Sequence, residues 1–253
     1  MNDPVTSFII KFNKIIAECE IFTFITRDSA LQRDACRQLQ DLLAAVEAEK
    51  KYARTSGKED YANVLLGCEC VASGLVSEIN MWLLLKDGRP DEAWGALVDA
   101  QSRFLSATKA DEGFAHLDQK VDRLKAIEQL IFPPQVFLSS GMIVKSQICS
   151  ICEGEYEDCV HVKGRPYMGE FCTVRLIPSA VDHVAMVDKP ANKRCRVFSF
   201  SDAGGQRNRM TWMVTAAEST VTHPDGHIKA EGVIAVIAPQ QEKTPKEDIS
   251  FQD

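Results

Sequence analysis

The sequence predicts an α+β protein: an N-terminal helical bundle followed by a zinc-stabilised, mainly β domain. Three observations predict it. Apolar residues recur at steps of three and four as far as residue 131, short alternating runs replace them after Pro133-Pro134, and five of the nine cysteines crowd into residues 149 to 195. With 253 residues and 45% hydrophobic content, the chain is long enough for two cores, which rules out disorder as its general state.

In the first half, Val5, Phe8, Phe12, Ile15, Cys19 and Phe22 mark one buried stripe, the first helix. Asp28 and Ser29 are start signals for a second, where Leu31, Ala35, Leu39, Leu42 and Val46 repeat the pattern before a loop at 55 to 58. A long third helix runs from about Asp60 to Lys86. The turn Asp87-Gly88-Arg89-Pro90 then joins it to a fourth beginning near Asp91 and Glu92. This pair looks like one tetratricopeptide-style hairpin, but no second copy follows at a fixed spacing, so an array is not supported. A fifth helix carries Leu117, Val121, Leu124, Ile127 and Leu130 and stops at Pro133-Pro134, the expected domain boundary. Cys19, Cys36, Cys68 and Cys70 sit inside these helical patterns and read as core filler.

Beyond the boundary, VFLSSGMIV, CTVRLIP, AVDHVAMV, RVFSFS, RMTWMVT and GVIAVIA read as strands, with Gly204-Gly205 as a hairpin turn. The domains are therefore expected at 1–132 and 133–240, with a polar, mobile tail at 241–253. Lys11, Lys14 and Glu18 interrupt the first apolar stretch, and no run reaches the ~18 uncharged residues of a membrane span, so a cytoplasmic protein without a membrane partner is expected. Cysteine-rich chains without an export signal keep reduced thiols and use them for metals.

The strongest signal is CSICEGEYEDCVHVKGRPYMGEFC. Cys149 and Cys152 have the C-x2-C spacing that lets two thiolates from one tight turn meet a single ion, and Cys159 with His161 supplies two further donors. Cys172 is a fifth candidate and the alternative to His161. The expected cofactor is one structural Zn2+ per chain, held by Cys149, Cys152, Cys159 and His161 and contributing to folding; a catalytic zinc would need a fourth position left to water.

The string C-S-I-C-x6-C-x-H-x2-G-x2-Y-x-G-x2-C, followed by DHVAMVDKPAN, resembles a module of phage head and prohead-associated proteins and their bacterial relatives. It covers roughly residues 148 to 197. More loosely, the domain plan is similar to that of the zinc-finger RNase effectors of bacterial phage defence, which assemble as rings and are triggered by phage proteins. That resemblance implies a homo-oligomer, a phage protein as trigger and RNA as substrate.

Charge is segregated in a way that bears on this. The chain carries a formal charge of −7, yet residues 163 to 209 hold nine Lys or Arg against four acids, a net +5. Such a segment suits RNA or single-stranded nucleic acid, with Lys193, Arg194 and Arg196 on phosphates and Tyr167, Phe198, Phe200 and Trp212 as stacking platforms. The bland alternatives are solvated charge and core aromatics. A metal-independent endoribonuclease would need proton-transfer groups and a cation, for which His183, His223, His227, Arg207 and Arg209 are the candidates, with Arg194 and Arg196 as further cations. Against this, strand alternation puts His183 on one face with Val181, Ala185 and Val187, the place of a hydrogen-bonded core histidine. His223 and His227 flank a Pro-Asp-Gly turn, the place of solvated side chains. The second reading is non-enzymatic: a zinc-organised interaction or assembly module. No phosphate-cradling glycine loop, Gly-x-Ser-x-Gly elbow or His-Glu-x-x-His is present.

Overall fold

The computed structural model describes residues 4–202, 205–216 and 229–234. Five α-helices precede a set of antiparallel sheets, an α+β architecture. The helices are α1 (Pro4–Glu20), α2 (Ser29–Thr55), α3 (Glu59–Lys86), α4 (Pro90–Ala110) and α5 (Asp118–Ile131), with a 3-10 segment Glu112–Leu117 before the last. Asp28 caps α2, its Oδ1 accepting from Ala30 N at 2.8 Å and Leu31 N at 3.1 Å. Gly88 takes φ +71° to close α3, and Pro90 opens α4.

The helices share one apolar core, and α3 is its centre. It is long and apolar enough to cross a membrane by length and composition alone, which the run-by-run reading of the sequence missed, but most of that stretch is buried against its neighbours. Gly67 of α3 faces the ring of Phe114, where an added Cβ would lie 2.1 Å from Cε2. Gly67→Ala is therefore expected to lower stability by about 1–3 kcal/mol through overpacking, read as a lower urea midpoint at unchanged slope. Cys19, Cys36, Cys68 and Cys70 are all buried, and burial pushes the thiols of Cys36, Cys68 and Cys70 up to about 11, 12 and 11.

Two details of the helical pattern differ from the sequence reading. Leu31 is exposed while Gln32 is fully buried, because the loop after α1 points the carbonyls of Phe22 and Phe24 inward and Gln32 Nε2 donates to both at 3.0 Å. Leu130, assigned to the buried stripe, is 85% exposed in the last turn of α5.

The strands are β1 (Phe137–Cys149), β2 (Pro166–Tyr167), β3 (Glu170–Phe171), β4 (Val174–Val187), β5 (Val197–Asp202), β6 (Gly205–Asn208), β7 (Val214–Thr215) and β8 (Ala230–Gly232). β1 and β4 form a long two-stranded ribbon, β2 and β3 a short hairpin, and β7-β6-β5-β8 a four-stranded sheet. CTVRLIP and AVDHVAMV are thus one strand: Pro178 is accommodated because the register shifts there, as it does again at Asp182. RMTWMVT is mostly turn, with Trp212 at φ +59° and only Val214–Thr215 paired. The β5–β6 hairpin pairs Asp202 with Gly205; Gly204, residues 235–238 of GVIAVIA and the tail lie outside the described residues.

Among the described residues, the strand-rich half has little core of its own. Met210 is buried in the helical cluster, and Phe137 and Phe171 pack against it. Among the described residues, the two halves are joined at two places. Near the turn between α2 and α3, Gly169 N donates to Asn63 Oδ1 at 2.9 Å and Arg54 pairs with Glu170 at 2.6 Å. Gly169, at φ +78°, leaves no room for a side chain there, since a Cβ would lie 3.1 Å from Ala62 O. The second place is the loop before β5, which docks on α4 and α5.

Candidate metal centre

The end of β1 delivers the first donor. Cys149 N donates to Gly154 O at 2.9 Å and Glu153 N to Cys149 O at 3.0 Å, a tight knuckle in which Glu153 accepts φ +62°. That turn aims backbone amides at sulfur: Ile151 N lies 3.4 Å from Cys149 Sγ. Hydrogen bonding from the Cys152 amide, assisted by that of Ile151, lowers the Cys149 thiol to about 6, favouring the thiolate a metal needs. A 3-10 turn, Tyr156–Asp158, then carries Cys159 and His161 back over the knuckle.

Hydroxyl groups of two tyrosines hold this second limb. Tyr167 Oη accepts from Val162 N at 2.9 Å, Tyr156 Oη accepts from Lys163 N at 3.1 Å, and the Tyr167 ring stands edge-on to His161 with centroids 4.8 Å apart. Sequence reasoning missed both tyrosines as supports. The only available signal was a pair of polar aromatics inside a glycine-bearing loop.

The ligand atoms of Cys149, Cys152, Cys159 and His161 all lie within 4.8 Å of one another, and Cys149 Sγ is 3.7 Å from His161 Nδ1. Donors on a tetrahedral zinc at its usual bond lengths stand roughly 3.5–3.8 Å apart. The four residues can hold a metal ion such as zinc. They span a deep to exposed range, Cys149 being buried and Cys152 open to solvent.

Cys172 stands behind the group of four. Its Sγ lies 3.8 Å from Cys149 Sγ and is fully buried, and desolvation pushes it up to about 11. The atoms within 4.8 Å of one another are those of Cys149, Cys152, Cys159 and His161, and the Sγ contact with Cys149 makes Cys172 the alternative to His161.

The other predicted site residues do not converge. Because the register shift at Asp182 breaks strand alternation, His183 pairs with Gly141 whereas Val181 pairs with Met142, on opposite faces of the ribbon. His183 is 62% exposed and bonded to Asp182 Oδ2 at 2.9 Å, so it is not the core histidine the alternation suggested. Arg207 is held by Asp202 and by Trp212 O at 2.8 Å, and Arg209 donates to Pro134 O at 3.0 Å. No hydrogen bond or ion pair joins His183 to either arginine among the described residues. His223 and His227 lie outside them.

No family model, curated protein or solved structure matches this chain. The structure alone therefore has to account for the basic segment.

Three of its cations turn inward, while Lys163, Arg165, Arg175 and Lys189 are exposed. Lys193 Nζ reaches Glu128 at 2.6 Å and Gln101 at 3.2 Å, Arg194 pairs with Asp99 and donates to Gly95 O at 3.3 Å, and Arg196 pairs with Asp91 and donates to Gln135 Oε1 at 3.0 Å. Arg196 is 1% exposed, its guanidinium between the rings of Phe198 and Trp94 at 4.7 and 5.8 Å. The Trp94 indole closes the joint by donating to Lys193 O at 3.0 Å. The assignment of Arg196 to a phosphate is thereby corrected: a side chain sealed between two rings cannot touch a nucleic-acid backbone. The stacking platforms are similarly engaged, Phe198 on Arg196, Tyr167 on His161 and Phe200 edge-on to Trp212.

A cleft of about 610 Å³ beside Arg194 is bordered by Arg33, Asp87, Glu92 and Asp99. Glu92 is taken by Arg89 and Asp99 by Arg194, so two of its carboxylates are already engaged in ion pairs.

Proposed function

We propose that the chain is a non-enzymatic assembly module in which one structural zinc per chain, on Cys149, Cys152, Cys159 and His161, fixes a β-ribbon to a helical platform. The observation that carries this reading is the inward pairing of Lys193, Arg194 and Arg196 with Glu128, Asp99 and Asp91. These cations bind the two halves of the protein to each other, and the chain as a whole carries a net charge of −7, unfavourable for a phosphate backbone. Four protein donors fill a tetrahedral zinc, leaving no position for a reacting water. The resemblance of residues 148 to 197 to modules of phage head-associated proteins fits an assembly role, and the reduced thiols of the site fit a cytoplasmic setting.

The test is incubation of purified, zinc-loaded protein with total RNA at low salt, followed by gel analysis. Unchanged RNA lengths and the absence of a salt-sensitive complex are expected. RNA cleavage that disappears in His183→Ala would establish the ribonuclease reading in its place.

A further inference from the structure

A short arm ties the metal centre to the helices. At the knuckle, Ser150 N donates to Thr173 O at 2.9 Å and Thr173 N to Ser150 Oγ at 2.8 Å. Further out, Cys172 N donates to Arg165 O at 2.9 Å and Gly164 N to Cys172 O at 2.8 Å. The pairs Pro166 with Phe171 and Tyr167 with Glu170 follow, and Met168-Gly169 closes the β2–β3 hairpin. The tip of this arm lands on the corner between α2 and α3: Gly169 N donates to Asn63 Oδ1 at 2.9 Å, Met168 N to Glu59 Oε1 at 3.4 Å, and Glu170 pairs with Arg54. On the metal side, Tyr167 of the same hairpin stands edge-on to His161 and accepts from Val162 N.

We infer that Asn63 is a positioning residue for the metal centre, and that through this arm the helical half sets how tightly the ion is held. This deepens the reading of one structural zinc per chain and rests on it. Three observations carry it. First, a hairpin of two residue pairs is marginal at best by itself in water, so its shape is fixed from its two ends. Second, its turn has positive φ at both central residues, +46° at Met168 and +78° at Gly169. Glycine takes that conformation freely, whereas methionine is strained in it, and such strain persists only where the surroundings over-determine the backbone. The surroundings are α3, whose Asn63 and Glu59 accept the two turn amides and whose Ala62 O would lie 3.1 Å from a Cβ on Gly169. Third, the arm carries groups of the centre itself, Tyr167 against His161 and Cys172 at 3.8 Å from Cys149 Sγ. A support that holds the groups around a ligand set in place raises affinity by pre-organising the site. Linkage makes the effect mutual: if docking of the tip strengthens metal binding, the bound ion strengthens docking by the same factor.

Zinc affinity of the full-length protein, measured by competition with a chromogenic chelator, tests this on the unmodified chain and on Asn63→Ala, Asn63→Asp and Lys193→Ala. Asn63→Ala removes the acceptor of Gly169 N, Asn63→Asp keeps one, and Lys193→Ala loosens the other joint between the halves. Affinity is expected to fall about tenfold in Asn63→Ala and to stay unchanged in the other two. Circular dichroism establishes that each variant is folded. Unchanged affinity in folded Asn63→Ala overturns the inference, and so does an equal loss in Asn63→Asp or in Lys193→Ala. Hydrogen exchange on the unmodified protein needs no variant to fold: removing zinc should speed exchange over residues 166–171 and leave residues 194–198, at the other joint, as they were. No change over 166–171, or the same acceleration at both joints, counts against the arm. Failure of the unmodified protein to bind zinc would remove the metal reading and this inference together, whereas tight binding that is indifferent to Asn63→Ala removes the inference alone. The RNA assay is independent of all these results.

Discussion

Cys149→Ser is expected to reduce bound zinc well below one per chain and to destabilise the zinc loop, with loss of soluble protein on gentle heating. Cys149 sits where every stabilising feature of the centre meets: it ends β1, is fully buried, accepts from the Ile151 amide, and touches both His161 and Cys172. A serine hydroxyl is a poor zinc ligand, and the remaining three donors cannot close a tetrahedron. Apparent binding energies for structural zinc are about 10–16 kcal/mol near neutral pH, large beside what the few buried side chains among the described residues of this half can supply. Elemental analysis and thermal unfolding read the two effects. Cys172→Ser supplies the contrast, with zinc retained at one per chain, because its thiol stands outside the four donors. Stoichiometric zinc in Cys149→Ser would remove the ligand assignment, and loss of zinc in Cys172→Ser would exchange the roles of Cys172 and His161.

Asp91→Ala is expected to cost about 3–5 kcal/mol of stability, because it leaves the Arg196 guanidinium buried without its counter-ion. The carboxylate also accepts from Asn208 Nδ2 at 2.9 Å, so the same change frees the end of β6. Arg196→Met, which removes the charge and keeps most of the volume between Trp94 and Phe198, should cost considerably less. Lys193→Ala is expected to cost about 1 kcal/mol or less, since its ammonium group is a third exposed and screened. Urea midpoints order these variants. Equal midpoints for Asp91→Ala and the unmodified protein would show that the joint between the halves does not depend on this pair.

Much of the fold was legible because it is encoded locally. Asp28 caps its own helix two and three residues on, Gly88 and Pro90 end one helix and start the next, and the C-x2-C and C-x-H pairs of the metal centre lie within 13 consecutive residues. What escaped was set by tertiary partners. Gln32 is buried because of carbonyls 8 and 10 residues away, and Leu31 is exposed as a result. His183 changes face because a bulge at Asp182 inserts one unpaired residue, and period-two reasoning has no way to detect such an insertion. The basic segment misled most: the counter-ions of Lys193, Arg194 and Arg196 are acids 65 to 105 residues earlier in the chain, where a local charge count does not register them.

That long separation sets an order of events. A chain emerging from the ribosome completes α4 and α5, with Asp91, Asp99 and Glu128 in place, before Lys193, Arg194 and Arg196 have been synthesised. The helical half therefore waits as an acidic template, and its partners arrive only after the zinc loop has been made. Docking before the ribbon has formed would bring those cations to the right acids with the intervening 61 residues (132–192) unpaired, a costly loop to close. A metal ion on Cys149, Cys152, Cys159 and His161 would pin the end of β1 to the loop that leads on to β4, shortening the segment left to close before docking.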